Sequence, residues 1–267
     1  MGAIRAPVYA RWVDEHSNEV ELTGGRLTVG VVRVGATVRR PRKPCSPFVA
    51  RLLRHLEQVG FAGAPRYLGL DELGRDVFSY VEGDVYPKWQ RWTDEHVEAA
   101  GRLLRALHDA TAGSALAADQ EVVCHHDAGP NNFVFRDGLP VALIDFDFAA
   151  PGAALDDLAY AAWAWCISSK PERAPVEEQA AQLRALADAY RLGRNDRAAL
   201  VEAILARQEQ NIRWWTERLD AEAISADDRR HGHEVIGWTW REREFMAAHA
   251  GAFTSPLCLA TASEGAA

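Results

Sequence analysis

The hydrophobic pattern of this chain changes period once, near residue 83, and that single change limits the folds open to it. Before it, apolar residues come in short β-branched runs closed by glycines: "EVELTGG", "TVGVVRVG", "ATVRRP" and "RYLGLDELGRDVFSYVEG". Such runs predict strands, with Gly35 in a tight hairpin turn and a polar glycine turn inside the last segment. One stretch, "SPFVARLLRHLEQVG", follows another rule. Pro47 near its start, Val49, Leu52, Leu53 and Leu56 at helical spacing, and Gly60 at its end predict a helix with Ser46 as N-cap. After the change, Thr93 should cap a helix with acids in its first turn, "TDEHVEAAGRLLRALHDAT". Everything beyond Leu155 is helical in pattern, with breaks near Lys170–Pro171 and Gly193–Asn195, and the last dozen residues are expected as a loose tail. Strands gathered at one end and helices at the other predict an α+β protein. The expected division is a small β-rich lobe over 1–82 and a larger, mainly helical lobe over 83–267, linked near 83–88, with a ligand cleft between them.

Composition excludes several functions. Lys and Arg total 30 against 38 Asp and Glu, a net charge of −8, which disfavours a nucleic-acid partner. Acids also outnumber bases after residue 151, which admits a cationic substrate. The four cysteines, 45, 124, 166 and 258, contain no CxxC pair, so neither a zinc site nor a redox motif is indicated. With no signal peptide visible, free thiols in a reducing cytoplasm are expected. No apolar run reaches the ~20 residues that a bilayer requires, so no membrane partner is expected. The histidines of "RRHGHE" stand two apart, on different helix faces, which argues against a zinc pair.

The helical half is interrupted by "EVVCHHDAGPNNFVFRDGLPVALIDFD". Two apolar runs, "EVVCH" and "NFVF", flank a loop bent by Gly129 and Pro130. An Asp137–Gly138 turn then returns the chain along "LPVALIDFD", so that Asn132 and Asp145 meet at one end of a hairpin. A carboxylate and an amide oxygen together suit a hard cation such as Mg²⁺, which also takes phosphate oxygens. Asp127, earlier on the loop, is left to accept a proton. Any one of these residues alone would be an ordinary turn cap; the spacing of the set carries the signal.

That spacing resembles the catalytic and metal segments of the aminoglycoside phosphotransferase family, relatives of the protein kinases, whose loops carry His–Arg–Asp, then Asn, then Asp–Phe–Gly. His125, Asp127, Pro130, Asn132 and Asp145 align without a gap. The family more often has a small residue at the place of His126 and a His at that of Gly129. The resemblance implies a protein-kinase-like bilobal fold and transfer of the ATP γ-phosphoryl group, with GTP as the alternative donor, to the hydroxyl of a small molecule. It implies Asp127 as the catalytic base, and Asn132 and Asp145 as Mg²⁺ ligands. His125 and Asp157 are implied as braces of the loop. "GGRLTVGVVRVG" would cover the nucleotide, and the backbone of Ser79 and Val81 would pair with adenine. In "TVRRP", Arg39 is expected at the phosphates, with Arg40 on the opposite strand face.

One departure stands out. Kinase-like folds often pair the phosphate-binding cation with a helix Glu, but Val49 or Ala50 holds that place and Glu57 comes about two turns late. The pair is therefore missing or supplied from elsewhere. Asp147 has no partner that the sequence can name. Two other functions stay open: a kinase for peptide Ser or Thr in a natural-product pathway, and a non-catalytic nucleotide-binding immunity or scaffold module.

Overall fold

The computed structural model describes residues 19–22, 30–88, 90–220 and 224–258. The first lobe is a five-stranded antiparallel sheet of β1 (Glu19–Glu21), β2 (Val32–Val34), β3 (Thr37–Arg40), β4 (Tyr67–Leu70) and β5 (Asp76–Ser79), in the order β1-β2-β3-β5-β4. Gly35 (φ 59°) and Gly74 (φ 73°) supply the left-handed backbone at two of its turns. Of the glycine-rich stretch expected over the nucleotide, residues 24–29 lie outside the described residues, and the rest forms β2 and its turn.

Helix α1 (Ser46–Gln58) crosses between β3 and β4. It buries Val49, Leu52, Leu53 and Leu56, each at most 2% exposed, so the helical spacing marks its inner face. Its cap differs from expectation. Cys45 is the N-cap, without a side-chain cap bond, and Ser46 lies inside the helix. The Ser46 hydroxyl is diverted: it accepts from the Lys43 N–H at 3.0 Å and donates to the buried carboxylate of Asp76.

The second lobe begins with α2 (Asp94–Thr111). Thr93 caps it as predicted, and His96 Nδ1 returns a bond to the Thr93 N–H at 3.1 Å. Next come β6 (Val122–Cys124), β7 (Phe133–Arg136), β8 (Leu139–Leu143) and β9 (Ala150–Gly152), then α3 (Ala154–Cys166), α4 (Val176–Tyr190), α5 (Arg194–Leu219), α6 (Ala226–Ala248) and α7 (Ala250–Leu257). β6 pairs with β9, and β7 with β8. α3 is buried on nearly every side from Asp157 to Cys166, which explains its uniformly apolar sequence. Among the described residues, no helix is long and apolar enough to cross a membrane. Part of the expected loose tail is ordered, since Ser255–Leu257 complete α7; Phe253 and Leu257, one turn apart, seat that helix in the core.

The linker is anchored to the second lobe. Asp84 and Phe135 exchange backbone hydrogen bonds of 2.9 and 2.7 Å. This brings Gly83 (φ 145°) so close to the hairpin that a Cβ there would lie 2.3 Å from the Phe135 carbonyl oxygen. A Gly83→Ala substitution is therefore expected to destabilise the protein by about 2 kcal/mol or more, because backbone blocks the new methyl and the left-handed φ strains it. Urea unfolding of the two proteins is the check; equal midpoints would mean that the linker is not held against β7.

Candidate active site

The candidate site is built on the bend between β6 and β7. The bend turns sharply at His126 (φ 61°), and Pro130–Asn132 form one 3-10 turn. Three side chains hold it. His125, fully buried, accepts from the Asp127 N–H at Nδ1 (3.3 Å) and donates through Nε2 to the Ile144 carbonyl (3.0 Å). Asp157, also fully buried, accepts from the N–H groups of His125 (2.6 Å) and His126 (2.7 Å), and from His108 Nε2 (3.0 Å). Trp165 Nε1 donates to the Ala128 carbonyl at 3.1 Å. Burial resists ionisation of Asp157, but the bond and charge of His108 and the donors around His125 outweigh it, holding the carboxyl down at about 2. Asp157 thus braces the loop from α3.

His108, Cys124 and Asp157 form a compact buried group. Hydrogen bonding accounts for it: the Cys124 thiol, pushed up by burial, donates to the Ala153 carbonyl at 3.3 Å.

Asp127 and Asn132 come together as a unit. Asn132 Nδ2 donates to the Asp127 carbonyl (2.8 Å) and to its Oδ2 (2.7 Å), while Asn132 Oδ1 accepts from Asn131 (3.0 Å). The hairpin brings Asp145 to the same end, for the Ile144 N–H donates to the Asn132 carbonyl at 2.9 Å. Asp145 takes a left-handed backbone (φ 62°), and its side chain is 46% exposed. Its carboxyl is pushed above the usual range, first by the protein crowded around its base and second by repulsion from Asp147.

The cation on this face is Arg40. Its Nη1 lies 3.7 Å from Asp145 and 2.5 Å from Asp147, and its guanidinium sits 4.9 Å from the Phe78 ring centre. Among the described residues, its Nε and Nη2 are buried without a hydrogen-bond partner. Arg39, expected here, is carried to the opposite face, where it meets Asp71 at 3.7 Å. The pleat explains the difference: Val38 opposes buried Phe78 and Arg40 opposes buried Asp76, so those two residues share the inner face.

Asp147 stands where the kinase motif has glycine, and it provides the acid that α1 lacks. It pairs with Arg40 and with Lys43 Nζ at 2.7 Å. Burial opposes its ionisation, yet the Lys43 bond and the Arg40 charge prevail and hold the carboxyl below its usual range.

At the expected adenine edge, the Ser79 N–H is already used by the Arg66 carbonyl (2.9 Å), and Val81 lies just beyond the sheet. Sequence reasoning missed Lys88, Tyr160 and Arg207. Tyr160 had one usable signal: it follows Asp157 by three helical positions, on the face that meets the loop. Its hydroxyl donates to Asp127 Oδ1 and accepts from Lys88 Nζ at 3.2 Å.

Comparison with known proteins bears on the family and the fold. The family model described as "Phosphotransferase enzyme family" matches residues 112–199, the span that holds the loop, the hairpin and α3. A curated relative, the trifolitoxin immunity protein of Rhizobium leguminosarum bv. trifolii, is 36% identical over 263 residues, covering 87% of this chain and 96% of that protein. Among solved structures, a choline/ethanolamine kinase family protein from Mesorhizobium loti superposes with a TM-score of 0.56 at 16% identity, covering 86% of this chain and 89% of that one. Spectinomycin phosphotransferase, solved with ADP and spectinomycin, gives 0.59 at 11% identity, with 83% and 88% coverage. These likenesses show the protein-kinase-like bilobal fold, with a small β-rich first lobe and a mainly helical second one. With the relative matched across nearly its whole length and the family model lying on the bend that carries Asp127, Asn132 and Asp145, the chain belongs to the phosphotransferase enzyme family, aminoglycoside phosphotransferase type.

Proposed function

We propose that the protein transfers the γ-phosphoryl group of ATP to the hydroxyl of a small acceptor. The observation that carries this reading is the convergence of Asp127, Asn132 and Asp145 at one hairpin end, faced by Arg40. Asp127 orients the acceptor hydroxyl and takes its proton. Phosphoryl transfer needs mainly positioning and charge stabilisation. Arg40, with two buried nitrogens unpartnered among the described residues, suits the phosphate oxygens.

Asn132 and Asp145 would hold Mg²⁺. The donor set fits: both offer hard oxygens, and Asp145 crowded by Asp147 gains from a nearby cation. Bound Mg²⁺ would supply charge neutralisation for the phosphates. The residues of the chain do the rest: Asn132 also fixes the Asp127 carboxylate, and Asp147 holds Arg40 in place.

The test is an ADP-release screen with ATP and GTP over aminoglycosides, amino alcohols, nucleosides and Ser/Thr peptides, joined to calorimetric nucleotide titration. Asp145→Ala is expected to abolish the Mg²⁺-dependent tightening of nucleotide binding; the same Mg²⁺ dependence in both proteins would remove Asp145 from the metal site. In the same assays Arg40→Lys is expected to raise the Michaelis constant for ATP several-fold, since a planar fork is replaced by a point charge, while Arg39→Lys changes little. The reverse pattern would mean that Arg39 serves the phosphates.

A second reading, a non-catalytic nucleotide-binding immunity module, draws on the name of the 36%-identical relative. The intact Asp127–Asn132–Asp145 set argues against it. Saturable nucleotide binding with no turnover across the whole screen would favour it.

A further inference from the structure

Helix α3 reaches the loop of Asp127 twice from one face. Asp157, in its first turn, accepts from the N–H groups of His125 and His126 and so fixes the backbone that leads into Asp127. Tyr160, three positions on, meets the Asp127 side chain itself, its hydroxyl donating to Oδ1. Residues three apart share a helix face, so both contacts come from one rigid element, buried from Asp157 to Cys166.

The direction of the Tyr160 proton is set by a third group. Lys88 Nζ donates to the Tyr160 oxygen at 3.2 Å. An ammonium has no acceptor, so the tyrosine oxygen takes that bond and its own proton is left for Asp127. Burial first, and the Asp127 charge second, push the Tyr160 hydroxyl well above its ordinary range, which keeps the proton on the tyrosine. Tyr160 is therefore a neutral donor to a carboxylate.

Asp127 thus has one donor on each oxygen, and the two differ in kind. Asn132 bonds Oδ2 at 2.7 Å, but it belongs to the same bent loop and travels with it. A carboxylate held on one oxygen alone turns about its Cβ–Cγ bond. Tyr160 holds the other oxygen from outside the loop, and each oxygen keeps a lone pair for the acceptor hydroxyl.

We infer that Tyr160 is a positioning residue of the transfer reaction: from α3 it holds the Asp127 carboxylate in the orientation that receives the acceptor's proton. This rests on the phosphotransferase reading above. Tyr160 acts through Asp127 and not on the acceptor.

The test is Tyr160→Phe, which removes one oxygen and keeps the ring beside Trp163 (centroids 6.1 Å apart) and under Arg207 (4.8 Å). Turnover on an acceptor from the screen is expected to fall about tenfold to a hundredfold, the scale of one hydrogen bond to a charged group, with the Michaelis constant for ATP and the melting temperature near wild type. The decisive measurement is the double-mutant cycle with Asp127→Asn. The two losses should not add, so that the double variant falls no further than Asp127→Asn alone. Wild-type turnover in Tyr160→Phe, or losses that add, would overturn the inference; so would a loss that follows melting temperature or nucleotide affinity. If no acceptor reacts, slow ATP hydrolysis, with water as the acceptor, is followed in the same four proteins. If Tyr160→Phe does not fold, proton NMR of wild type and Asp127→Asn decides. The Tyr160 hydroxyl proton, shielded from exchange by its carboxylate partner, should give a resolved downfield resonance in wild type that Asp127→Asn lacks; the same spectrum in both would overturn the inference. Absence of all turnover, hydrolysis included, would reject the phosphotransferase reading and this inference with it, whereas turnover untouched by Tyr160→Phe would reject this inference alone.

Discussion

Asp127→Asn is expected to lower turnover by about 10²–10⁴-fold while leaving the fold and nucleotide affinity near wild type. The geometry favours so selective a loss. The Asp127 carboxylate accepts from Asn132 on one oxygen and from Tyr160 on the other. An asparagine can keep its oxygen toward Asn132 and turn its amide toward the Tyr160 oxygen, which can accept as well as donate. The loop should hold its shape, because His125, Asp157 and Trp165 fix the backbone from below. What is lost is the group able to take the acceptor proton. Turnover on an acceptor from the screen, with thermal melting and nucleotide titration as controls, is the check. Wild-type turnover in Asp127→Asn would remove the base assignment; a collapsed melting temperature would show that the carboxylate is structural.

Asp157→Ala should be the most damaging substitution for stability, at about 3–5 kcal/mol. The side chain is fully buried and accepts from two backbone N–H groups and from His108. Removing it leaves those donors without a partner in a place that water does not reach. Asp157→Asn retains one acceptor and should cost less. The two also differ from wild type in pH dependence. The folded carboxyl is held at about 2 against an ordinary 3.8. Its contribution is therefore fully present above about pH 4 and is lost as the pH falls through that window toward 2. Denaturant unfolding between pH 2 and 5 should show a steeper loss in wild type than in Asp157→Asn. Parallel profiles would mean that Asp157 is not ionised in the folded protein.

Asp127 was legible before the structure because its signal is local, whereas Asp157 entered only through the family resemblance. Asp127, Asn132 and Asp145 sit at fixed distances along one strand–loop–hairpin unit, and turn residues between them set the geometry. The same is true of the Thr93 cap and of the inner face of α1, where spacing along the chain equals spacing around the helix. The Ser46 cap failed because a distant residue competed for the hydroxyl: Asp76, thirty positions away, takes it.

Arg39 and Arg40 mark the boundary between the two kinds of knowledge. The chain itself determined that a cation would stand at the end of β3 and that neighbouring arginines would point to opposite faces, because the strand period is two. Which of them faces Asp145 depended on the pairing of Val38 with Phe78 and on the side from which α1 covers the sheet, and two identical residues in sequence carry no mark of either. The acid that steadies Arg40 arrives from Asp147, more than a hundred positions away. The surroundings of Lys88 are likewise decided in three dimensions. Lys88 comes from the linker, Tyr160 and Trp163 from α3 and Trp238 from α6, and nothing in any of those segments read singly shows that they meet. Periodicity and turn chemistry act between near neighbours and are written in the chain; the partner of a charge is set by which distant surfaces pack together, and only the folded structure decides that.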